Sequence, residues 1–160
     1  MIRLKTLLIF VAVIVGVWFT YEQTVGKPLG TFFSVPTHTM RVGNVPMRVE
    51  IAQTEAERIQ GLSDRESLGE VSGLFFVFPQ ADYHGVWMKD MEFAIDVIWI
   101  SEDLKVVDIS RNLLPQSYPK IFRPSSPAKY AVETEVLFTE TFGIKIGDTV
   151  VLPRVVGEEI

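Results

Sequence analysis

Three side chains that are close together in the sequence have types suited to binding a ligand or moving a proton: Trp87, Lys89 and Asp96. An indole can stack on a ligand, an ammonium attracts an anion, and a carboxylate can serve as a general base. Trp87 and Lys89 are two positions apart and therefore share one face of a strand. If the apolar faces of the two successive strands meet the same core, Asp96 lies on the side of Trp87 and Lys89. We therefore expect these three residues to line a ligand pocket.

A structural role for Asp96 is the alternative. An isolated carboxylate between Ile95 and Val97 is costly to bury unless it meets water, a cation or backbone donors. Asp96 could then act as an acceptor that holds the loop after Lys89. A lysine with an aspartate is also a weak sign of catalysis, because ion pairs are common in proteins.

A basic segment is the second candidate region. Residues 109–132 contain no acidic side chain and four basic ones, which are Arg111, Lys120, Arg123 and Lys129. Ser117 and Tyr118 add hydroxyl groups, and four prolines stiffen the loop and limit the entropy lost on binding. We expect Ser117, Tyr118 and Arg123 to contact a small anionic or polar ligand. A solvated loop and contact with anionic lipid headgroups are the alternatives.

Two further arginines are candidates for ligand binding. Arg58 lies in a predicted short helix and Arg65 in the turn that follows it. Each could instead form a simple surface pair with Glu55 or Glu66.

Several kinds of site are excluded by composition. The chain of 160 residues has no cysteine, which excludes disulfides, iron–sulfur clusters and cysteine nucleophiles. The two histidines, His38 and His84, are far apart in the sequence and have no second ligand at short spacing. We therefore predict no metal site and no cofactor. A net charge of −5 argues against nucleic-acid binding, which needs a basic surface.

The amino-terminal residues have the pattern of a membrane segment. Arg3 and Lys5 precede thirteen unbroken apolar residues, 7–19, and no charge occurs before Glu22. Residues 6–21 are predicted to contact the membrane, with the N-terminus inside the cell. We favour an uncleaved anchor because small residues are missing at the exit of the segment, where a signal peptidase would cut. A cleaved signal peptide, giving a secreted protein, and a buried core helix are the alternatives.

These observations divide the chain into three parts. Residues 1–25 form the anchor or signal, and residues 26–37, with glycines and prolines, form a linker. Residues 38–160 form one domain outside the cytoplasmic membrane, facing the periplasm or the cell exterior.

Short β-rich runs separated by turn residues dominate that domain. Gly43-Asn44 predicts a tight hairpin, and Thr54-Glu-Ala-Glu57 predicts a capped helix that ends at Gly61. Four runs between Gly73 and Ile109 predict a meander. The expected fold is mainly β (α+β): a small, mostly antiparallel barrel or rolled sheet of about seven strands with short peripheral helices.

Several motifs, in this order, resemble the prokaryotic family known as domain of unknown function 192. They are Arg58-Ile-Gln-Gly-Leu-Ser-Asp-Arg65, Gly73-Leu-Phe-Phe-Val-Phe-Pro79, Trp87-Met-Lys-Asp90, Ile95-Asp-Val-Ile-Trp-Ile100, Val106-Val-Asp108 and Gly143-Ile-Lys-Ile-Gly-Asp148. The resemblance implies a compact β-rich domain, commonly exported or anchored, with no established activity. Asp90 stands where the family usually has asparagine, and its charge can pair with Lys89.

The first functional hypothesis is a membrane-tethered binding or accessory module for a small anionic or polar ligand, rather than an enzyme. The second is a hydrolase or lyase in which Asp96 is the general base and Lys89 or Arg123 stabilises developing negative charge. The third is a structural module that docks on a protein partner in the cell envelope.

Overall fold

The computed structural model describes residues 36–154. The predicted membrane segment, residues 1–25, and nearly all of the predicted linker lie outside this range. Within it, no helix is both long and apolar enough to cross a membrane. The elements in chain order are β1 (His38–Val42), β2 (Val45–Ala52), α1 (Glu55–Gln60), β3 (Gly73–Asp82), β4 (Val86–Trp87), β5 (Ile95–Ile100), β6 (Val106–Leu113), a 3-10 turn (Pro115–Ser117), β7 (Ile121–Phe122), β8 (Ala128–Glu135), α2 (Phe138–Thr141) and β9 (Val150–Val151).

Seven of the strands form one sheet in the order β6-β5-β8-β3-β2-β1-β9, and β4 pairs with β7 in a separate two-stranded sheet. The two ends of the large sheet approach each other, since Lys105 and Thr149 form an isolated antiparallel bridge. The amide of Val106, at the start of β6, also donates to the carbonyl of Asp148, 2.9 Å away, just before β9. The sheet is therefore curled into a half-barrel, and the mainly β expectation is confirmed.

Local sequence signals account for the first elements. The register of β1 and β2 pairs Val42 with Val45, so the predicted two-residue turn at Gly43 and Asn44 is confirmed. Gly43 has a φ of 58°, a left-handed conformation that glycine adopts without strain. The predicted capping box is also confirmed, because the Thr54 side chain accepts from the Glu57 amide and the Glu57 carboxylate accepts from the Thr54 amide.

The two faces of the sheet bury two separate cores because side chains alternate along each strand. On β3, Phe75 faces the inner core and Phe76 faces the outer core. The inner core contains residues from both ends of the sheet, including Val106 and Val150, and the half-barrel encloses it. The outer core is covered by the segments that follow α1 and by β4. Trp99, fully buried in the outer core, donates from its indole nitrogen to the Ser110 hydroxyl at 3.0 Å.

The strand order differs from the predicted meander. Strand β8 lies between β3 and β5, and β4 is not part of the large sheet, so the meander prediction is wrong. The pair β2–β3 is parallel, while the other pairs are antiparallel in the described sheets. The crossover through α1 permits this parallel pairing, because only a longer connection can return the chain in the same direction.

Gly73 tests the close approach of β3 to β8. A Cβ atom there would lie 2.4 Å from the backbone oxygen of Glu133 and 3.0 Å from Val132 Cγ1. Because the hydrogen-bonded backbones of β3 and β8 cannot move apart without breaking their pairing, we expect Gly73→Ala to lower the free energy of unfolding by about 3 kcal/mol. Urea denaturation measures this change. Gly69→Ala is the control, with no atom within 4 Å and only the strain of its φ of +65°, worth about 1 kcal/mol. Equal losses in the two variants would contradict the proposed clash.

Candidate functional site

A cleft of about 170 Å³ lies between α1 and β4, against the outer face of the large sheet. Helix α1 and the turn after it form one wall, β4 with Met91 forms the other, and β3 and β8 provide the floor. Its lining includes Glu55, Arg58, Ile59, Phe76, Trp87 and Glu133. We call this site the cleft.

Glu133 is the chemically distinctive residue of the cleft. It lies on β8, is 5 % exposed, and its Oε2 atom has no hydrogen-bond partner among residues 36–154. Burial raises the pKa of Glu133 to about 8, although the positive charge of Arg65 acts in the opposite direction. At neutral pH the side chain is therefore mostly a neutral carboxylic acid, and one of its oxygens remains available to a ligand.

The end of helix α1 lies directly beside the Glu133 carboxyl. Gly61 terminates α1 with a φ of +51°, and its amide donates to the carbonyl of Glu57. A Cβ atom on Gly61 would lie 3.6 Å from the Phe76 ring and 3.8 Å from Glu133 Oε2. Gly61 thus supplies the left-handed conformation and places no side chain against the acid.

Aromatic side chains make up much of the remaining lining. The rings of Phe76 and Phe78 stack with centroids 6.2 Å apart, and His84 stacks on Phe78 at 3.8 Å. Trp87 projects from β4 and is 42 % exposed. The cleft therefore combines a buried polar group with apolar surface, the usual composition of a small-molecule site.

A two-bond clasp joins the two walls at one end of the cleft. The Ser63 hydroxyl donates to the Lys89 carbonyl at 2.8 Å, and the Asp64 amide donates to the Asp90 carbonyl at 2.7 Å. Asp64 and Asp90 both have positive φ, at 62° and 53°. Aspartate tolerates this conformation better than most residues, so the clasp can hold a tight turn on each side.

Four of the sequence-predicted candidates lie at or beside the cleft. Arg58 and Trp87 line it directly. Arg65 pairs with Glu50 at 2.8 Å and acts electrostatically on Glu133. Lys89 contributes its carbonyl to the clasp.

The charged groups of these candidates already have partners. The Arg58 guanidinium donates to the backbone oxygens of Gln53 and Val77, the latter at 3.1 Å. The Lys89 ammonium lies 3.1 Å from Asp90, as the sequence indicated, and this neighbour raises the pKa of the lysine.

Asp96 does not belong to this group, and the predicted convergence of Trp87, Lys89 and Asp96 is wrong. Asp96 is 1 % exposed, and its carboxylate faces the opposite side of β5 from the outer-core residues Ile95 and Val97. The predicted convergence required the strands that carry Trp87 and Asp96 to be neighbours in one sheet. They are in different sheets, so their faces are not related by residue spacing.

The Asp96 carboxylate is instead a structural acceptor with three donors. Its Oδ1 accepts from the Asn112 amide at 3.0 Å, and its Oδ2 accepts from the Thr139 amide at 3.2 Å and the Thr139 hydroxyl at 2.7 Å. Asn112 has a φ of 53°, and Thr139 is in the first turn of α2. Asp96 therefore attaches β6 and α2 to the central strands.

The basic loop does not form one charged site. Arg123 donates to the Tyr83 carbonyl, and the Ser117 hydroxyl donates to the Leu114 carbonyl at 2.6 Å. Tyr118 is 48 % exposed. The other basic side chains have separate contacts: Arg111 with Thr139, Lys120 with the Phe122 ring and Lys129 with the Pro79 carbonyl.

Sequence reasoning missed Glu133 altogether. Strand β8 also carries Lys129, Thr134 and Glu135, so one more glutamate gave no distinct signal in the sequence. Metal ligation is a separate question: in residues 36–154 no three histidine, aspartate or glutamate side chains come together closely enough to hold an ion.

Asp96 and Lys89 should respond differently to substitution. Asp96→Ala leaves two buried donors of Thr139 and the part-buried Asn112 amide without their acceptor, so we expect a loss of about 3 kcal/mol in the free energy of unfolding. Lys89→Ala should leave the urea midpoint unchanged, because its ion pair with Asp90 is solvent-exposed. Urea denaturation of both variants tests this, and a small effect for Asp96→Ala would argue against the structural role.

Glu133 should make stability depend on pH. Between 4.5, the ordinary pKa, and about 8, the folded state holds a proton that the unfolded state has released. The free energy of unfolding therefore falls as pH rises through this window, by up to about 1.4 kcal/mol per pH unit. Glu133→Gln removes this pH dependence. The free energy of unfolding of the variant, minus that of the unmodified protein, should therefore increase from about pH 5 to about pH 8. Parallel pH profiles in urea denaturation would contradict the buried, protonated state.

Comparison with known proteins identifies relatives of unknown activity. The DUF192 family model, described as "Uncharacterized ACR", matches residues 37–152. A solved structure of a proposed transcription regulator from Sinorhizobium meliloti 1021 is 24 % identical, with a TM-score of 0.68, and the match covers 73 % of this chain and 94 % of that one. A protein of unknown function from Novosphingobium aromaticivorans DSM 12444 is 25 % identical, with a TM-score of 0.70 and coverage of 78 % and 91 %. No curated protein matches significantly. Because the family model spans the half-barrel and every wall of the cleft, the chain belongs to the DUF192 family.

Proposed function

We propose that this protein is a binding module whose cleft takes a small ligand with an apolar part and one polar group. The main support for this proposal is the unpartnered Oε2 atom of Glu133 at the floor of an aromatic cleft. Buried polar atoms almost always have hydrogen-bond partners, and exceptions call for an explanation. A ligand that supplies the missing partner is the explanation that also accounts for the position of the acid in the lining of the cleft.

The cleft has the size for a ring or a single side chain. Its volume of about 170 Å³ compares with an engineered apolar cavity of about 150 Å³ that binds benzene. Larger molecules would insert one group and leave the rest outside, where Ile59 and Trp87 offer exposed apolar surface.

The local charges favour a polar ligand over an anionic one. Glu55 and Glu133 both line the cleft, and Arg58, the one cation among the described lining residues, already donates to two carbonyls. An anion entering here would approach the Glu55 carboxylate and a cation that is already hydrogen-bonded. The anionic part of the initial hypothesis therefore has less support than the polar part.

Binding is better supported than catalysis by the candidate acid and base. The Asp96 carboxylate is buried and already accepts from three donors, whereas the exposed Lys89 ammonium pairs with Asp90. The hydrolase or lyase hypothesis therefore loses the geometry on which it depended.

Tethering to the membrane is a separate part of the proposal. Its support is the sequence of residues 1–25, with a basic start and thirteen consecutive apolar residues. The proposed topology puts the N-terminus in the cytoplasm and the domain in the periplasm or outside the cell. We expect the full chain to remain in the membrane fraction after alkaline extraction, and a protease added to intact spheroplasts to cut the domain. Recovery of a shortened, soluble protein by mass spectrometry would favour a cleaved signal instead.

Trp87 provides the test of the cleft itself. We expect a thermal-shift screen of ring-sized polar compounds on the full chain to find ligands that raise the melting midpoint, since binding favours the folded state. Trp87→Ala should weaken their binding about tenfold by removing one apolar wall. Phe142→Ala is the matched control, because Phe142 is an exposed aromatic that does not line the cleft. The absence of any stabilising compound, or equal weakening in both variants, would overturn the proposal.

A further inference from the structure

We infer that the polar group recognised at Glu133 is a primary alkylammonium, carried on a short apolar stem that lies against the aromatic walls of the cleft. The inference rests on the proposed binding function and specifies its ligand class. Among residues 36–154, Glu133 forms no ion pair. Arg65, whose positive charge acts on Glu133, is already paired with Glu50 at 2.8 Å.

An ammonium supplies what this carboxyl lacks. It brings both a positive charge and hydrogen-bond donors, so the Glu133 proton can leave and Oε2 can accept a charge-assisted hydrogen bond. Such bonds are roughly twice as strong as neutral ones. A neutral amide or alcohol would satisfy the hydrogen bond but would leave the acid protonated.

The walls suit the rest of such a ligand. Ile59 and Phe76 offer apolar contact to a stem, and the exposed indole of Trp87 attracts cations through its π face. The charged groups that face the site from neighbouring elements are Glu55 and Arg58 of α1, and the Arg65–Glu50 pair. With Glu133 ionised, the lining groups Glu55, Arg58 and Glu133 carry a net charge of −1, which also favours a cation.

Benzylamine, benzyl alcohol and benzoate form a matched set that differs in one polar group. Binding is measured by calorimetry on the full chain, in phosphate buffer and an uncharged sugar detergent, because amine buffers and choline-type detergents would compete. We expect benzylamine to bind best and benzoate worst. Affinity for benzylamine should rise by up to about tenfold per pH unit between about pH 6 and pH 8, as ligand binding releases the Glu133 proton.

Glu133→Gln keeps the size of the side chain and removes the charge. It should weaken benzylamine binding at least about tenfold and change benzyl alcohol binding little. Glu135→Gln, an exposed glutamate two residues later on β8, is the control and should change neither. If Glu133→Gln does not fold, the pH series on the unmodified protein decides the question.

The outcomes separate this inference from the proposed function. Binding of benzylamine and benzyl alcohol with equal affinity, or benzylamine affinity that is flat with pH, would overturn the ammonium assignment and leave a binding cleft. Binding of none of the three compounds would overturn both.

The ammonium could come from a free amine or from a lysine side chain, so a short peptide with one lysine and its Nζ-acetylated form are compared with butylamine. Preference for the unmodified peptide over butylamine would identify a protein or peptide source.

Discussion

The position of β8 between β3 and β5 is the constraint on which the rest of the structure depends. Successive residues of β8 point to opposite faces, so Glu133 enters the outer side and Thr134 the inner side. Thr134 is paired in register with Asp96 of β5. Gly73, which has no side chain, lets β3 lie close to the backbone of β8 at Glu133. The same ladder of backbone hydrogen bonds therefore positions the cleft acid and the Asp96 attachment, and neither can shift independently.

Among the described residues two acidic side chains, Asp96 and Glu133, are buried, and they differ in their hydrogen-bond partners. Asp96 has three donors around its carboxylate, which is how a folded protein ordinarily accommodates a buried charge. Glu133 has an oxygen without a partner in the described part of the chain, and its pKa is raised. A satisfied buried acid stabilises its neighbours, whereas an unsatisfied one reduces stability. The second arrangement is expected where function, rather than folding, determines the residue.

The walls of the cleft come from short elements that local packing alone would hold weakly. Helix α1 has six residues and β4 has two. Their relative position depends on the capping box of α1, on Gly61 and on the clasp between the turn at Ser63 and the segment after β4. In the proposed binding function, walls held in place before binding would reduce the conformational entropy lost when a ligand enters.

Local patterns in the sequence were sufficient for the family, the mainly β class, the turn at Gly43 and the capped helix from Thr54, because each depends on residues within a few positions of one another. The sequence also singled out Arg58 and Trp87, and Asp90 as the partner of Lys89. Pairing between strands distant in the sequence determined the other features. Strand β4 lies outside the large sheet, Asp96 does not face Trp87, and Glu133 lies in the cleft. Side-chain alternation determines which residues share a face within one strand, but which face meets which core depends on the neighbouring strands. Those neighbours come from contacts far apart in the chain, and only the folded structure reveals them.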